Sequence, residues 1–206
     1  VMAPGTTYQG ILVNVYLGGG WLLTGLTFNS AQTISETGFT SYTFYNKGYD
    51  YLGGTIANNN PSVTSSGTSA LGASYAAWDN QYNLRLWGYQ FNNYGTLLYA
   101  DNSIKFQPTK GLSFSLAAQA GTDNQLNNTN NALTNDNLGQ ISSNFIGVQG
   151  IINYDWFSLN LGYNNVWGPS SAYGGGAIVT PYTYGFATDP LYTTPYMSGL
   201  ADLGTA

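Results

Sequence analysis

The side chains that most often perform acid-base or metal chemistry are missing from this sequence of 206 residues, which has no His and no Cys. Without them a chain lacks the commonest general base and the strongest nucleophile. A pair of carboxylates, as in glycosidases, is the remaining catalytic arrangement. Most of the acidic residues fall in turns and loops, where Asp is a common turn residue. We therefore expect no enzyme activity, no cofactor and no metal site. The candidates considered are Glu36, Asp50, Asp79, Asp101, Asp123, Asp136, Asp155, Asp189 and Asp202.

The charge pattern excludes nucleic acid as a partner. Four basic residues are scattered along the chain and the net charge is −5, whereas binding to phosphate backbones requires clustered Lys and Arg. Charged residues make up 6% of the sequence, against about a quarter in a soluble domain. Asn, Thr, Ser, Gln and Gly take their place, together with an aromatic content of 16%. This composition disfavours an ordinary soluble globule.

Runs of alternating apolar and polar residues predict eight β-strands. Their links are short after the first, third, fifth and seventh strands, and three of the other four are long. Short turns at one end and long loops at the other are typical of a transmembrane β-barrel. Most of the runs also have the roughly 9–11 residues that a tilted strand needs to cross a bilayer. The predicted strands are 7–17, 21–29, 69–78, 82–91, 96–106, 112–121, 144–153 and 157–167.

The two faces of these strands differ in polarity, which predicts one face toward lipid and one toward water. No apolar run reaches the ~18 residues of a membrane-spanning helix, so a chain in a membrane must form a barrel. We predict an all-β, antiparallel up-and-down barrel segment over 1–206, with long exposed loops at about 30–68, 122–143 and 168–206. The residues expected on the outside are Leu112, Phe114, Leu116, Phe157, Leu159, Leu161, Ile11, Val13 and Val15.

Aromatic residues gather near the ends of the predicted strands. Tyr and Trp rings favour the membrane interface, so such residues would form girdles around a barrel. Ordinary strand preference and core packing are the alternative explanation. The residues concerned are Tyr8, Trp21, Trp78, Tyr82, Phe91, Tyr94, Phe106, Tyr154, Trp156, Phe157 and Trp167.

Two basic residues, Arg85 and Lys105, fall on the polar face of adjacent strands and are candidates for lining a pore. Asn83 shares the face of Arg85, while Tyr99 and Asp101 share that of Lys105. Positive charge on a lumen wall attracts anionic solutes. The alternative, that Arg85 and Asp101 form a cross-strand ion pair and keep the wall neutral, is equally compatible with the sequence. On the same alternation Asn102 falls on the apolar face, which suggests a bulge or a misplaced boundary.

Four stretches resemble the later half of the OprD-type outer-membrane porins. The resemblance rests on two features. One is a strand that begins near a TYQG-like stretch and leads into a Gly-containing turn, and the other is a TDPLYT-like element in a late loop. It covers most of residues 7–203. The stretches are TYQGILVNVYLGGGWLLTGLTF, LRLWGYQFNNYGTLLYADNSIKF, QPTKGLSFSLAAQAG and YGFATDPLYTTPYMSGLADLG.

The resemblance implies a barrel on the order of eighteen strands, of which this chain would supply eight and lack the first and the last. It also implies a bacterial outer-membrane location and the passage of small organic solutes, often carboxylates, along lumen Arg and Lys beside an inward-folded loop. Only Arg85 and Lys105 match positions where such a ladder could run, and the sequence is far poorer in basic residues than the family pattern.

The expected partners are small solutes and outer-membrane lipid, and the sequence is also compatible with a homo-oligomer. The alternative functions are an extracellular β-rich surface, filament or adhesin subunit and a carbohydrate-binding module. A β-sandwich has no reason to keep so regular an alternation of link lengths, which favours the porin.

Overall fold

The structure, a computed structural model, describes residues 7–32, 38–39, 67–92, 95–125, 140–172, 176, 178 and 192. These residues form one antiparallel sheet of eight strands in which every strand pairs with its neighbour in sequence. In the described ranges no helix is long and apolar enough to span a bilayer. The strands are β1 (Thr7–Gly18), β2 (Trp21–Gln32), β3 (Thr68–Ala77), β4 (Tyr82–Phe91), β5 (Gly95–Thr109), β6 (Leu112–Gln125), β7 (Ser142–Tyr154) and β8 (Phe157–Trp167).

Short turns join the strands in pairs at one end of the sheet, called here the turn end. Gly20 and Gly111 have φ angles of +87° and +89°, a region that favours glycine. The turn after β3 is closed by a hydrogen bond from the Gln81 amide to the Trp78 carbonyl at 2.9 Å. The turn predicted at 107–111 is shorter than expected, because β5 continues through a register irregularity after Phe106 to Thr109.

At the opposite end, called the loop end, β2 reaches Gln32, β6 reaches Gln125 and β7 begins at Ser142, so these strands extend into the predicted loops. Most of those three segments lies outside the described residues. In the part of 168–206 that is described, Ala172 and Ile178 are buried. The sequence predicted an exposed loop here, whereas these two residues of the segment are buried.

The pairing register keeps two faces separate across all eight strands. Residues directly opposite each other in an antiparallel pair share a face. One face, the polar face, carries Asn14, Thr24, Arg85, Asp101 and Gln119. The other, the apolar face, carries Ile11, Val13, Leu71, Leu98, Leu116, Val148 and Leu161.

Exposure of the two faces is the reverse of that in a soluble protein, except along the edge strands β1 and β8, where both faces are largely exposed. On the apolar face Leu71 is 69% and Leu161 64% exposed, whereas on the polar face Asp101 is 6% and Gln119 4% exposed. The predicted outward set is confirmed, since none of it converges in a packed core. Ile11, Val13, Val15, Leu116, Phe157, Leu159 and Leu161 are exposed, and Leu112 and Phe114 are half-buried.

Asn102 lies on the apolar face, and neither of the two explanations suggested for it, a bulge or a misplaced strand boundary, applies. It pairs in regular register with Leu84 on β4 and with Ala118 on β6. The side chain is exposed. The apolar face therefore carries an exposed polar side chain at this position.

Aromatic rings form a partial girdle at the turn end. Ring centroids are 4.8 Å apart for Trp21 and Tyr75 and 5.9 Å for Trp78 and Tyr82. Phe91 does not belong to it, because this ring is 4% exposed and stacks on Tyr89 on the polar face. Tyr8 also packs against a polar-face ring, Phe28. Tyr94 lies outside the described residues.

The sheet does not close on itself within the described part of the chain. β1 pairs only with β2, and β8 pairs only with β7. The expectation that these eight strands leave two free edges is confirmed.

Candidate functional site on the polar face

One row of side chains crosses the polar face near mid-height and contains its ion pair and a hydrogen bond between β6 and β8. Successive register pairs align Ser74, Arg85, Asp101, Gln119, Gly147 and Asn164, one from each strand from β3 to β8. We call these residues the polar row. Alternation alone places each of them on this face, whereas only the register places them side by side.

Arg85 and Asp101 form an ion pair across β4 and β5. The Arg85 Nε donates to Asp101 Oδ1 at 3.0 Å, and the side chains are 40% and 7% exposed. Within the described residues only Nε of this guanidinium is hydrogen-bonded. Its two terminal NH2 groups can therefore donate to a solute, while the buried carboxylate fixes the side chain.

Neutral groups continue the row toward β8. Tyr99 Oη donates to Gln119 Oε1 at 3.3 Å, and Gln119 Nε2 donates to Asn164 Oδ1 at 2.9 Å. The second bond bridges β6 and β8 over Gly147 of β7. A Cβ on Gly147 would collide with Asn164 Oδ1 and lie 2.7 Å from Gln119 Nε2. A larger residue at this position would therefore displace the two side-chain ends that form the bond.

A second row, one step toward the loop end, pairs aromatic rings with glycines. The register aligns Gly72, Trp87, Tyr99, Gly121 and Phe145. A Cβ on Gly72 would lie 2.6 Å from the Trp87 ring, and one on Gly121 would collide with the Phe145 ring. The Trp87 and Phe145 rings thus each pack over a glycine of a neighbouring strand. This row is called the aromatic row.

Ring contacts connect members of the aromatic row with each other and with a further ring on β4. Trp87 stacks on Tyr89 at 5.5 Å, and Tyr99 stacks on Phe145 at 6.2 Å between ring centroids. The polar face is therefore not uniformly small and polar. It carries a bulky aromatic band toward the loop end and small residues toward the turn end.

Charges on this face are few and nearly balanced. Arg85 is paired with Asp101, and Asp123 is fully buried one row beyond the aromatic row. Lys105 is exposed and forms no ion pair among the described residues. Since it lies four residues from Asp101 on β5, the two are roughly 13 Å apart along the strand.

Tyr192, from the segment after β8, lies close to the ion pair. Burial and the Asp101 carboxylate raise the pKa of its phenol to about 12, against the opposing effect of Arg85. The Tyr192 side chain therefore lies at the polar face beside Arg85.

The structure brings together three of the five residues selected from the sequence: Arg85, Tyr99 and Asp101. Asn83 lies one step toward the turn end, where its Nδ2 donates to the Asn80 carbonyl at 3.0 Å. Lys105 lies one step further. The polar-face phase of Gln119 and Asn164 was visible in the sequence, but their position beside Asp101 depends on register across four strands.

Comparison with known proteins identifies the fold. No family model and no curated protein matches the sequence. Among solved structures, OccK2 (OpdF) of Pseudomonas aeruginosa superposes with a TM-score of 0.64 at 15% identity, over 80% of this chain and 39% of that one. OpdK of the same organism, solved with vanillate, gives 0.64 at 18% identity over 80% and 38%. A BenF-like porin from Pseudomonas fluorescens Pf-5 gives 0.62 at 14% identity over 79% and 37%.

These neighbours are outer-membrane porins of the OprD/Occ type, and the resemblance seen in the sequence is confirmed at the level of the fold. The antiparallel up-and-down barrel architecture is confirmed with it. The chain spans about two fifths of the length of these structures.

Proposed function

We propose that this chain forms part of the wall of a bacterial outer-membrane porin through which small polar solutes diffuse. The supporting observation is the inverted exposure of its two faces. A soluble antiparallel sheet buries its apolar face and presents polar residues to water. Here the apolar face is exposed on strand after strand, as lipid contact requires, and the polar face carries the hydrogen-bonding groups.

Free edges at β1 and β8 support a larger barrel. Strand edges do not occur in the hydrocarbon region, because unpaired backbone groups cost several kcal/mol each there. Both edge strands therefore require partner strands in the membrane. Eight strands closed on themselves would enclose an interior just filled by side chains, whereas toward the turn end Ser113, Ser115, Ser158 and Gly162 are too small to fill one. These small residues suit a wider lumen containing water.

For solute choice we propose small organic anions, guided by Arg85 and Lys105. The pairing of Arg85 with Asp101 cancels most of its long-range field, but its terminal NH2 groups can still bind a carboxylate at short range. Lys105 adds an unpaired charge nearer the turn end. Vanillate and glucuronate, bound to two of the neighbours, are both carboxylates. Asp101 holds the Arg85 side chain in place, and Tyr99 and Asn83 would contribute polar groups to the wall.

The competing proposal of an extracellular surface or filament subunit fits the apolar face less well. A water-exposed sheet of this kind would present a contiguous apolar surface far above the few hundred Å² usual for a soluble protein. A filament subunit would have to cover this surface by assembly. The two proposals are separated by whether the protein requires detergent.

The test uses the full-length protein that carries these residues. We expect it to be extracted only by detergent, to migrate differently on a gel before and after heating, and to form conducting channels in planar bilayers. Extraction by buffer alone, or absence of conductance, would contradict the proposal.

The role of the cations is tested by reversal potentials across a salt gradient. Arg85→Ala and Lys105→Ala should each lower the anion-to-cation permeability ratio. If neither variant changes it, the pore is a size filter and the two residues have no part in selectivity.

A further inference from the structure

We propose that the apolar face around Asn102 is an interface with a second copy of this chain, in which the two Asn102 amides hydrogen-bond to each other. This inference rests on the membrane location proposed above. It adds a protein partner to that location and does not depend on the transported solute.

The Asn102 side chain is a polar amide at a depth where the lipid acyl chains have no hydrogen-bonding groups. It is the central residue of β5, and the apolar-face positions on that strand run from Phe106 and Ile104 on one side of it to Ala100 and Leu98 on the other. Four residues separate it from the Phe106 ring, which at usual strand rise and tilt is about 10 Å of depth. The amide therefore lies inside the apolar band and away from the headgroups.

Nothing in the described part of the sheet satisfies this amide. Its side chain is exposed and forms no hydrogen bond with the described residues. Its partners in the register, Leu84 and Ala118, are apolar. A side-chain amide in hydrocarbon is unfavourable unless its donors and acceptor are paired. Acyl chains cannot pair with it, so a protein group must.

The surface beside Asn102 is shaped for close approach. An apolar groove of about 590 Å³ crosses the face from β2 to β6 next to it. Small residues alternate with leucines from strand to strand along the groove, and small residues at membrane interfaces allow backbones to approach closely. The small residues are Ala73, Gly88, Ala100 and Ala120, and the leucines are Leu23, Leu71, Leu86 and Leu98.

A second copy is the partner that this arrangement fits. All copies of a barrel insert in the same orientation, so Asn102 lies at the same depth in each of them. An amide both donates and accepts, and two identical amides related by a twofold axis along the membrane normal can exchange two hydrogen bonds. A lipid acyl chain, by contrast, can neither donate nor accept a hydrogen bond.

Disulfide trapping tests the proposal directly, because the sequence contains no Cys. The full-length protein, with any other cysteine changed to Ser and Asn102→Cys as its single cysteine, would be oxidised with copper phenanthroline in native membranes. The matched control is Val148→Cys, which is also exposed on the apolar face but lies on β7. We expect a disulfide-linked dimer for Asn102→Cys at a yield at least fivefold above that of the control.

A second measurement separates a specific contact from chance collision. Asn102→Leu should shift the protein in mild detergent from dimer to monomer, and Asn102→Gln, which keeps the amide, should restore part of the dimer. Equal trapping at positions 102 and 148, or an unchanged mass for Asn102→Leu, would overturn this inference alone. Recovery of the protein in the soluble fraction would instead refute the membrane location on which it rests.

Discussion

Replacing Asp101 with Asn should turn Arg85 from a paired into an unpaired positive charge on the polar face. The two side chains are joined at 3.0 Å, with the carboxylate 7% and the guanidinium 40% exposed. The amide oxygen of Asn can still accept the hydrogen bond from Nε. Because Arg85 is partly hydrated, the loss of stability should be about 1 kcal/mol or less. The change is therefore chiefly electrostatic.

The expected effect on permeation follows from Coulomb's law. An anion passing about 5 Å from an unpaired guanidinium in water gains about 0.8 kcal/mol, which is about a fourfold rise in its local concentration. Screening at 0.1 M salt, where the Debye length is about 10 Å, reduces this to about twofold. At 1 M salt, with a Debye length of about 3 Å, less than about 1.5-fold should remain.

The assay is the reversal potential of single channels of the full-length protein across a salt gradient at low and high ionic strength. Asp79→Asn is the matched control, since it removes the same charge from an exposed turn, and its φ of +52° suits Asn. We expect the anion-to-cation permeability ratio to rise about two- to fourfold for Asp101→Asn and to change little for Asp79→Asn. Equal shifts in the two variants, or none in either, would refute a role for the Arg85 pair in contact with permeating ions.

Three further outcomes follow from the geometry. Gly147→Ala should lower the unfolding free energy by about 1–3 kcal/mol by breaking the Gln119–Asn164 bond, as measured by urea unfolding in vesicles. Gly150→Ala, whose Cβ would meet only Leu116 at 3.7 Å, should be nearly neutral, and an equal loss in both would contradict the assignment. Val148→Arg should impair folding into vesicles by about 2–4 kcal/mol, whereas Gln149→Arg on the polar face should be tolerated; the reverse order would invert the faces. Gly72→Val should displace the Trp87 ring and shift its fluorescence, and an unchanged spectrum would contradict the packing of ring over glycine.

The strands and their facing were predictable because they depend on local alternation and turn composition. All eight strands occur within a few residues of their predicted bounds, and the outward residues were assigned correctly. The errors arose where one strand could not be interpreted alone. Asn102 is a polar residue on the apolar face although its pairing register is regular. Phe91 lies at a strand end, as a girdle residue would, but its ring is buried on the polar face.

The candidate site was only partly predictable for the same reason. Arg85 and Asp101 could be identified as a potential pair because they lie on adjacent strands with a short connection. The bond from Gln119 to Asn164 depends on the register of three strands and on a glycine between them. The aromatic row likewise appears only when Gly72 and Gly121 are aligned with rings from neighbouring strands. Alternation gives the face of a residue but not the identity of its cross-strand neighbours.

The central claim is that the apolar face meets lipid and the polar face meets water. Ser115 and Leu116 are adjacent on β6 and lie on opposite faces, so each can be replaced by a single Cys in the full-length protein, with any other cysteine of that protein changed to Ser. In intact outer-membrane vesicles, Ser115→Cys should react with a charged maleimide, whereas Leu116→Cys should react only after detergent is added. A fluorophore attached to Leu116→Cys should be quenched by brominated lipid. Rapid labelling of Leu116→Cys in intact vesicles, with Ser115→Cys protected, would contradict the account.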